Sequence, residues 1–266
     1  MRAGMTSDQG GPSAPDVTLN SLTERLGIFL DFEKRELHKS IESLARFAAG
    51  DLLDVGCGDK PYEELFAGRV SSYTGIEYSA SYTGSFNEAA GKADLTYDGE
   101  HLPFPDGSFD TVLCTQVLEH VRAPASLTEE MARVLRPGGR LIATVPFCYR
   151  IHDTRDFWRF TAGGLEVMVS SAGLIPETIE ERGTFWESIG QAINWYLLIK
   201  AGRLKSVAQE SGSLGYLPPS GETPRYVLLG LLVPVAFVLT LLVRALDRLS
   251  PENSMVLGYS VVAVKG

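Results

Sequence analysis

Apolar runs with strand-like composition recur along this chain, and amphipathic stretches separate most of them. Leu37, Ile41, Leu44 and Phe47 follow intervals of three and four, which is typical of a helix with one buried stripe. Residues 52–55 then form an apolar run with a single carboxylate, as expected for a strand that is covered on both faces. The alternation of such segments predicts an α/β domain.

Further strands are expected at six places, which are residues 72–77, the short segment before Asp98, and residues 111–114, 141–146, 174–181 and 255–264. Helices are expected at about residues 21–49, with an interruption near Gly27, and at residues 62–67, 126–135 and 161–172. The capping-box spacing at residues 21–24 and 126–129 predicts two helix starts, and Thr161 is expected to cap a third.

The longest apolar stretch, residues 226–243, contains no charged residue and reaches the minimum length of a transmembrane candidate. A single crossing would separate residues 255–264 from the sheet, so three alternatives remain open. The stretch dips into one leaflet and returns, packs against an apolar helix at residues 192–199, or is buried in a homodimer.

The neighbouring segment 186–204 has the composition of a membrane-interface helix. It contains Trp195 and Tyr196, and basic residues lie at its end: Lys200, Arg203 and Lys205. We therefore expect residues 186–251 to form an apolar helical insertion that docks on the inner face of the membrane or dimerises.

Composition adds the expected domain limits and location. Residues 1–17 are rich in small and polar residues and lack a signal-peptide core, which predicts a disordered lead-in. The main domain is expected at residues 18–185 and 252–266. Three scattered cysteines fit a reducing compartment and offer no thiolate metal site, which predicts a cytoplasmic protein that is peripheral to the membrane if the insertion docks. The net charge of -9 argues against a nucleic-acid partner.

A glycine turn, Val55-Gly56-Cys57-Gly58, follows the first apolar run. Two glycines one residue apart allow a sharp turn and the close approach of a ligand. Glu77 closes the second strand at about the spacing of an acid that binds ribose hydroxyls. Successive parallel strands end at one edge, so Asp98 should lie there too and accept the amine of adenine. The turn predicts a nucleoside site; alternatively it binds nothing and Glu77 is a solvated acid.

Four segments in order, residues 52–58, 102–110, 118–121 and 134–146, resemble the motifs of the class I S-adenosylmethionine-dependent methyltransferases. The branch that they resemble contains the ubiquinone and menaquinone biosynthesis methyltransferases. The resemblance implies a Rossmann-like sheet of seven strands, mostly parallel with an antiparallel last strand. It also implies S-adenosyl-L-methionine as the cofactor.

By that resemblance, nine residues near the ends of the first four strands bind the cofactor, namely Asp54, Gly56, Cys57, Gly58, Glu77, Tyr78, Asp98, Gly99 and Gln116. Asp54 and the turn would hold its methionine part, and Gln116 would lie beside the sulfonium. A nicotinamide dehydrogenase also pairs a glycine turn with an acid, but it requires a third glycine where this chain has Pro61.

A sulfonium carries its own leaving group, so the reaction needs no metal and no covalent enzyme intermediate. His120 and His152 are the candidates for a general base if the accepting atom has a proton to lose, although both could simply hold loops in place. The polar and aromatic run 147–161 is expected to form the substrate wall. Its candidate contacts are Tyr149, Asp156 and Arg159; alternatively, Asp156 and Arg159 pair with each other.

Together these features predict methyl transfer to oxygen or carbon of a small acceptor that is apolar or lipid-linked. The alternative is a catalytically silent module that binds S-adenosylmethionine in a membrane-associated complex. The two differ in whether a methylated product forms.

Overall fold

The computed structural model describes residue 27 and residues 29–78, 92–153, 155–200 and 226–266. The predicted lead-in at 1–17, the capping box at 21–24, and Arg203 and Lys205 lie outside the described residues. The limits predicted for the domain and its insertion remain predictions.

The described part of the chain forms a seven-stranded sheet of order β3-β2-β1-β4-β5-β7-β6. Its strands are β1 Asp51–Val55, β2 Ser72–Tyr78, β3 Leu95–Tyr97, β4 Phe109–Thr115, β5 Leu135–Pro146, β6 Leu174–Arg182 and β7 Gly258–Lys265. The first five strands pair in parallel, and β7 runs antiparallel to both β5 and β6. This confirms the predicted Rossmann-like sheet with an antiparallel last strand.

Six helices are described: α1 Phe32–Leu44, α2 Glu63–Phe66, α3 Pro124–Val134, α4 Ala162–Ser171, α5 Phe185–Lys200 and α6 Tyr226–Leu249. Short 3-10 turns lie at Ala45–Phe47 and Leu118–His120. Asp31 caps α1 by accepting from the Lys34 amide. Thr161 caps α4 as predicted, because its hydroxyl accepts from the Gly164 amide at 3.1 Å.

The helix start predicted at Ser126 is wrong. α3 begins two residues earlier, at Pro124, and its N-cap residue Ala123 makes no side-chain hydrogen bond. Proline suits the first turn, where its missing N–H would have no partner within the helix. Ser126 therefore lies inside the helix.

The two faces of the sheet are buried against different helices. Leu53 and Val55 of β1 lie in the same buried cluster as residues of α3 and α4. Leu52 lies with Ile41 and other residues of α1 on the opposite face. Both faces are thus covered, as the apolar run of β1 with its single carboxylate predicts, and the carboxyl ends of the strands remain available for a site.

α5 and α6 lie in sequence between β6 and β7, and they pack on each other. Asn194 donates hydrogen bonds to the Thr240 hydroxyl at 2.9 Å and to the Leu30 carbonyl at 3.0 Å. Trp195 and Ala236 are buried in one cluster with Leu30. The apolar stretch thus packs against α5, one of the three alternatives above. No helix among the described residues has the length and apolar character needed to cross a membrane.

Candidate active site

A cavity of about 880 Å³ opens at the carboxyl ends of β1 to β4. The strand order reverses between β1 and β4, and open α/β sheets bind ligands at such a switch point. Nine of the predicted site residues line the cavity, and they are Gly56, Gly58, Glu77, Tyr78, Asp98, Gly99, Gln116, His120 and His152. Residues that are spread along the chain from Gly56 to His152 thus meet around one cavity, as parallel strands with a common edge require.

The glycine turn after β1 requires its first glycine. Gly56 has φ +72°, and a Cβ there would lie 2.4 Å from a methyl group of Val117. Gly58 has φ +50°, but a Cβ there would meet nothing within 4 Å. The amides of Gly56 and Cys57 donate to the Ile76 carbonyl, at 2.8 and 3.2 Å. The backbone of Gly56 and Gly58 thus lies directly against the cavity. A side chain at Gly56 would take up the space beside Val117.

Glu77 ties the end of β2 to the turn. One carboxylate oxygen accepts from the Gly58 amide at 3.0 Å, and the other accepts from the Tyr78 amide at 3.0 Å. These bonds hold the carboxylate on the cavity wall. Because a carboxylate oxygen can accept more than one hydrogen bond, Glu77 can also receive the hydroxyls of a ribose.

Asp98 and Gly99 form the far end of this wall. The amides of Glu100 and His101 each donate to Asp98 Oδ1 at 2.8 Å, and these bonds hold the pKa of the exposed carboxyl below its usual value. Gly99 has φ +87°, and a Cβ would lie 2.8 Å from the ring of Tyr78. A polar acceptor and an aromatic face thus meet at this end, which suits an adenine.

Asp54 and Cys57 were predicted to bind the cofactor. The structure places their side chains beneath the turn, and neither residue lines the cavity. Asp54 is buried and its Oδ2 accepts from the Tyr73 hydroxyl at 2.6 Å. Its Oδ1 has no partner among the described residues. Burial, with a smaller effect from Glu77, raises the pKa of Asp54 to about 7 against the lowering effect of the Tyr73 hydroxyl.

Cys57 is buried under the same turn, with Sγ 3.6 Å from the Gly58 carbonyl oxygen. Burial raises the pKa of its thiol to about 12, so the thiol is neutral. A neutral, covered thiol is a poor nucleophile. Its place here is that of a small packing residue under the turn.

Gln116 lies where β4 ends and has φ +55°, which is uncommon for a residue other than glycine. Two hydrogen bonds hold it there. Its amide donates to the Thr144 carbonyl at 3.0 Å, and its side-chain nitrogen donates to the Thr144 hydroxyl at 3.2 Å. This strained residue carries the chain from the sheet toward the opposite wall of the cavity.

That opposite wall carries the two predicted histidines. Their rings pack edge to face, with centroids 4.8 Å apart. His120 Nδ1 lies 3.1 Å from the Arg155 carbonyl oxygen, and His152 Nδ1 lies 3.0 Å from Asp156 Oδ2. His152 Nδ1 donates to the Arg150 carbonyl at 3.3 Å, so both rings have a carbonyl as acceptor. Each Nδ1 therefore carries the proton and each Nε2 a lone pair. Burial lowers the pKa of both rings, that of His152 to about 4, and both are therefore neutral.

Glu119 was missed from the sequence. Its side chain is buried beside His120, and neither carboxylate oxygen has a hydrogen-bond partner among the described residues. His120 Nε2 lies 3.8 Å from Glu119 Oε1, which is too long for a hydrogen bond. Burial raises the pKa of Glu119 to about 8. The signal available in the sequence was an acid directly before a histidine at the end of a strand.

The three predicted substrate contacts of the 147–161 loop do not line the cavity. Asp156 is buried and binds Arg159, with a contact of 2.7 Å between Asp156 Oδ2 and Arg159 Nη2. The ring of Tyr149 packs edge-on against His152 at 5.0 Å and Trp195 at 4.4 Å. The structure thus places Tyr149, Asp156 and Arg159 behind His152, in the pairing that was the alternative for the last two.

Other residues of the same loop line the cavity, although they were not among the predicted contacts. They include Asp153, Arg155 and Phe157. The Arg155 guanidinium lies 5.9 Å from the centre of the Tyr78 ring, so this loop approaches the end of β2 across the cavity. No periodicity marks such residues, because the path of the loop decides which of them face inward.

Residues 53–143 match a family model described as a methyltransferase domain. A curated relative, the 27-O-demethylrifamycin SV methyltransferase of Amycolatopsis mediterranei (strain S699), is 34% identical over 155 residues, which cover 50% of this chain and 57% of that protein. A ubiquinone biosynthesis O-methyltransferase of Burkholderia vietnamiensis (strain G4 / LMG 22486) is 36% identical over 112 residues, 37% of this chain and 45% of that protein. The solved [4+2]-cyclase SpnF is 21% identical with a TM-score of 0.48, covering 85% of this chain and 80% of that chain.

This chain spans about half the length of the curated relatives it matches. Residues 53–143 are thus similar to a methyltransferase domain, and the relatives matched over this part of the chain are named as methyltransferases, in agreement with the predicted class I S-adenosylmethionine-dependent family and its cofactor. The residues present fit that cofactor. Its ribose suits Glu77 on the cavity wall, and the bare turn at Gly56 leaves space for a close approach. Asp54 Oδ1, which has no partner among the described residues, lies beneath that turn, where its charge would attract the ammonium.

Proposed function

We propose that this chain transfers a methyl group from S-adenosylmethionine to a hydroxyl oxygen of a small acceptor that is apolar or lipid-linked. The observation that carries the proposal is one cavity with two chemically different ends. Gly56, Glu77 and Asp98 line the end that suits a nucleoside, and His120 and His152 line the other. A donor held at the first end would direct its methyl group toward an acceptor held at the second.

The cofactor end holds the donor. When bound, the cofactor supplies an electrophilic methyl group, whose bond to sulfur breaks as its bond to the acceptor oxygen forms, leaving the electron pair on sulfur. Glu77 would accept the ribose hydroxyls, Asp98 and Gly99 would contact the adenine with Tyr78 beside it, and Asp54 Oδ1 would accept from the ammonium. Gln116 would lie next to the sulfonium.

The acceptor end orients the hydroxyl. Each histidine presents an Nε2 lone pair, so His120 and His152 can accept a hydrogen bond from the acceptor and align its oxygen. Asp156, Arg159 and Tyr149 act through His152: Asp156, held by Arg159, accepts from the His152 backbone amide at 3.1 Å, and Tyr149 makes an edge-on contact with its ring. Oxygen is favoured over carbon because both curated relatives described above are named for O-methyl groups or O-methylation.

The test uses the purified full chain with a donor that carries a radioactive methyl group and an extract separated into lipid, small-molecule and protein fractions. We expect label in the lipid or small-molecule fraction, and magnetic resonance of the isolated product identifies the methylated atom.

A Glu77→Ala variant should bind the donor at least about tenfold more weakly, as expected when charged hydrogen bonds are lost. Donor binding without any labelled product would instead identify a silent cofactor-binding module.

A row of apolar side chains on α6 favours a lipid surface as the source of the acceptor. Leu231, Val235, Val238 and Leu242 are each more than half exposed, and their spacing of four, three and four residues places them on one face. Large exposed apolar patches mark interaction sites. The exposed Tyr196 of α5 and Arg248 of α6 have the mixed character of a membrane interface.

Direct contacts link this helix pair to the acceptor end. Ala236 of α6 is buried with Trp195 of α5, whose ring is edge-on to Tyr149 at 4.4 Å, and Tyr149 in turn contacts His152. Docking of the α6 row on the inner face of the membrane would therefore hold the acceptor end of the cavity near the lipid. This arrangement suits an acceptor that stays in the bilayer.

The docking proposal predicts that the chain sediments with vesicles of mixed neutral and anionic lipid. A Leu231→Gln, Val238→Gln double variant should lose most of that binding, because burial of apolar area drives it. Val167→Gln is the matched control, since Val167 is an equally exposed valine on α4. If the row serves a homodimer instead, the wild-type chain will sediment as a dimer and the double variant as a monomer, with no binding to vesicles.

A further inference from the structure

Glu119, His120 and His152 each place one side-chain ligand atom within 4.8 Å of those of the other two. Glu119 and His120 come from the 3-10 turn after β4, and His152 comes from the loop after β5. We propose that these three residues form a binding site for a divalent transition-metal ion. Only the role of the ion toward the acceptor rests on the proposed function.

The hydrogen bonds of the two histidines are those of metal ligands. His120 Nδ1 donates to the Arg155 carbonyl and His152 Nδ1 donates to the Arg150 carbonyl, with Asp156 Oδ2 close beside it at 3.0 Å, which leaves both Nε2 atoms as the ligating atoms. A histidine that binds a metal ion usually donates its other ring N–H to a carbonyl or carboxylate. Arg159 fixes Asp156 in turn, so the orientation of His152 is set by two successive layers of contacts.

Glu119 supplies the independent observation. Its carboxylate is buried, and both oxygens lack a hydrogen-bond partner among the described residues. A buried carboxyl group without partners is costly, and native structures seldom contain one without a reason. The backbone carbonyl of Glu119 accepts from Phe157 at 2.8 Å, so the 147–161 loop holds this turn in place. A cation between Glu119 and the two rings would supply the missing partner.

Two imidazoles and one carboxylate favour zinc, manganese, iron or cobalt over magnesium, which prefers oxygen ligands. Bonds of about 2.0 to 2.1 Å at tetrahedral angles separate ligand atoms by about 3.3 Å. The distance from His120 Nε2 to Glu119 Oε1 is 3.8 Å. Side-chain rotations that shorten these separations, which are up to 4.8 Å in the set, would close it around an ion.

The site would keep open positions on the cavity side, because His120 and His152 line the cavity. An acceptor hydroxyl could occupy one of them. A metal ion lowers the pKa of a bound hydroxyl, whose proton passes to water, and the resulting alkoxide or phenoxide attacks the methyl group. This gives the acceptor end a way to ionise a hydroxyl that two neutral histidines lack.

The direct test is metal binding by the full chain after treatment with a chelator. Cobalt ions are added, and the visible absorption of bound Co²⁺ and the heat of binding are recorded. We expect one equivalent to bind, and we expect Glu119→Gln and His152→Asn to weaken binding at least about tenfold. His38→Asn is the matched control, because His38 lies on α1 outside the cluster. Wild-type binding no tighter than that of a His120→Asn, His152→Asn double variant would overturn the inference.

Two further measurements separate this site from the proposed function. Affinity for S-adenosylmethionine should be unchanged in Glu119→Gln, which shows that the variant is folded. If cobalt binds but no methylated product forms, the metal site stands and the methyl-transfer proposal fails. If the chelated chain forms product as fast as the metal-loaded chain, the ion has no role toward the acceptor.

Discussion

The two ends of the cavity are built in different ways. The proposed cofactor end consists of backbone and of carboxylates at the ends of adjacent strands, such as Glu77 and Asp98, so local turns and parallel pairing suffice to assemble it. The proposed acceptor end consists of side chains from separate loops that are held by further side chains behind them. The first end can serve any acceptor, whereas the second can change with its loops while the sheet stays the same.

The largest expected effect concerns the buried carboxyl group beneath the cofactor end. Asp54 has a pKa of about 7 in the folded chain against 3.8 as its ordinary value. Below about pH 4 its contribution to stability is fully present, and it is lost as pH rises toward 7, because the unfolded chain ionises first. Asp54→Asn removes this loss, so at pH 8 it should be more stable than the wild type by up to about 4 kcal/mol.

Urea unfolding of both chains between pH 4 and pH 8 measures this difference. The gap should widen with pH and shrink when S-adenosylmethionine is added, since its ammonium would pair with the ionised Asp54. If the difference in unfolding free energy stays constant with pH, Asp54 ionises normally in the folded chain. The proposed cofactor end then contains no carboxyl group that stays protonated until the cofactor binds.

The second largest effect is expected when a side chain is added to the glycine turn of the proposed cofactor end. Gly56→Ala should weaken cofactor binding about 100-fold, or about 3 kcal/mol, because the new methyl group would meet Val117 in a backbone conformation that disfavours alanine. Gly68→Ala is the control, since Gly68 has a similar φ of +75° with nothing within 4 Å of a Cβ. Calorimetric titration of both variants with S-adenosylmethionine compares them, and equal affinities would remove the special role of the turn.

The smallest effect should separate the two ends. Asp156→Asn loosens His152 without touching the cofactor end, so we expect kcat for methyl transfer to fall about tenfold with unchanged affinity for S-adenosylmethionine. Steady-state kinetics and calorimetry on the same preparation measure both quantities. A parallel loss of cofactor affinity would show that the two ends are coupled through the loop.

The sequence also predicts the two ends of the cavity to different extents. Glu77 and Asp98 could be predicted to lie at one edge because each is at the end of a recognisable strand, and both line the cavity. Asp156 and Arg159 could be assigned to the substrate or to each other, and their spacing alone could not decide. Glu119 was missed because its lack of partners depends on the packing of a distant loop. The start of α3 was misplaced because Pro124 begins the helix ahead of the capping box.

The position of β7 has a consequence for the order in which this chain becomes structured. β6 pairs with β7 and not with β5, so the sheet cannot hold β6 until the chain has passed through α5 and α6 and returned. During synthesis β5 therefore keeps an unpaired edge while the apolar helices emerge. If those helices meet a bilayer at that stage, the lipid can shield them before the last strand closes the sheet.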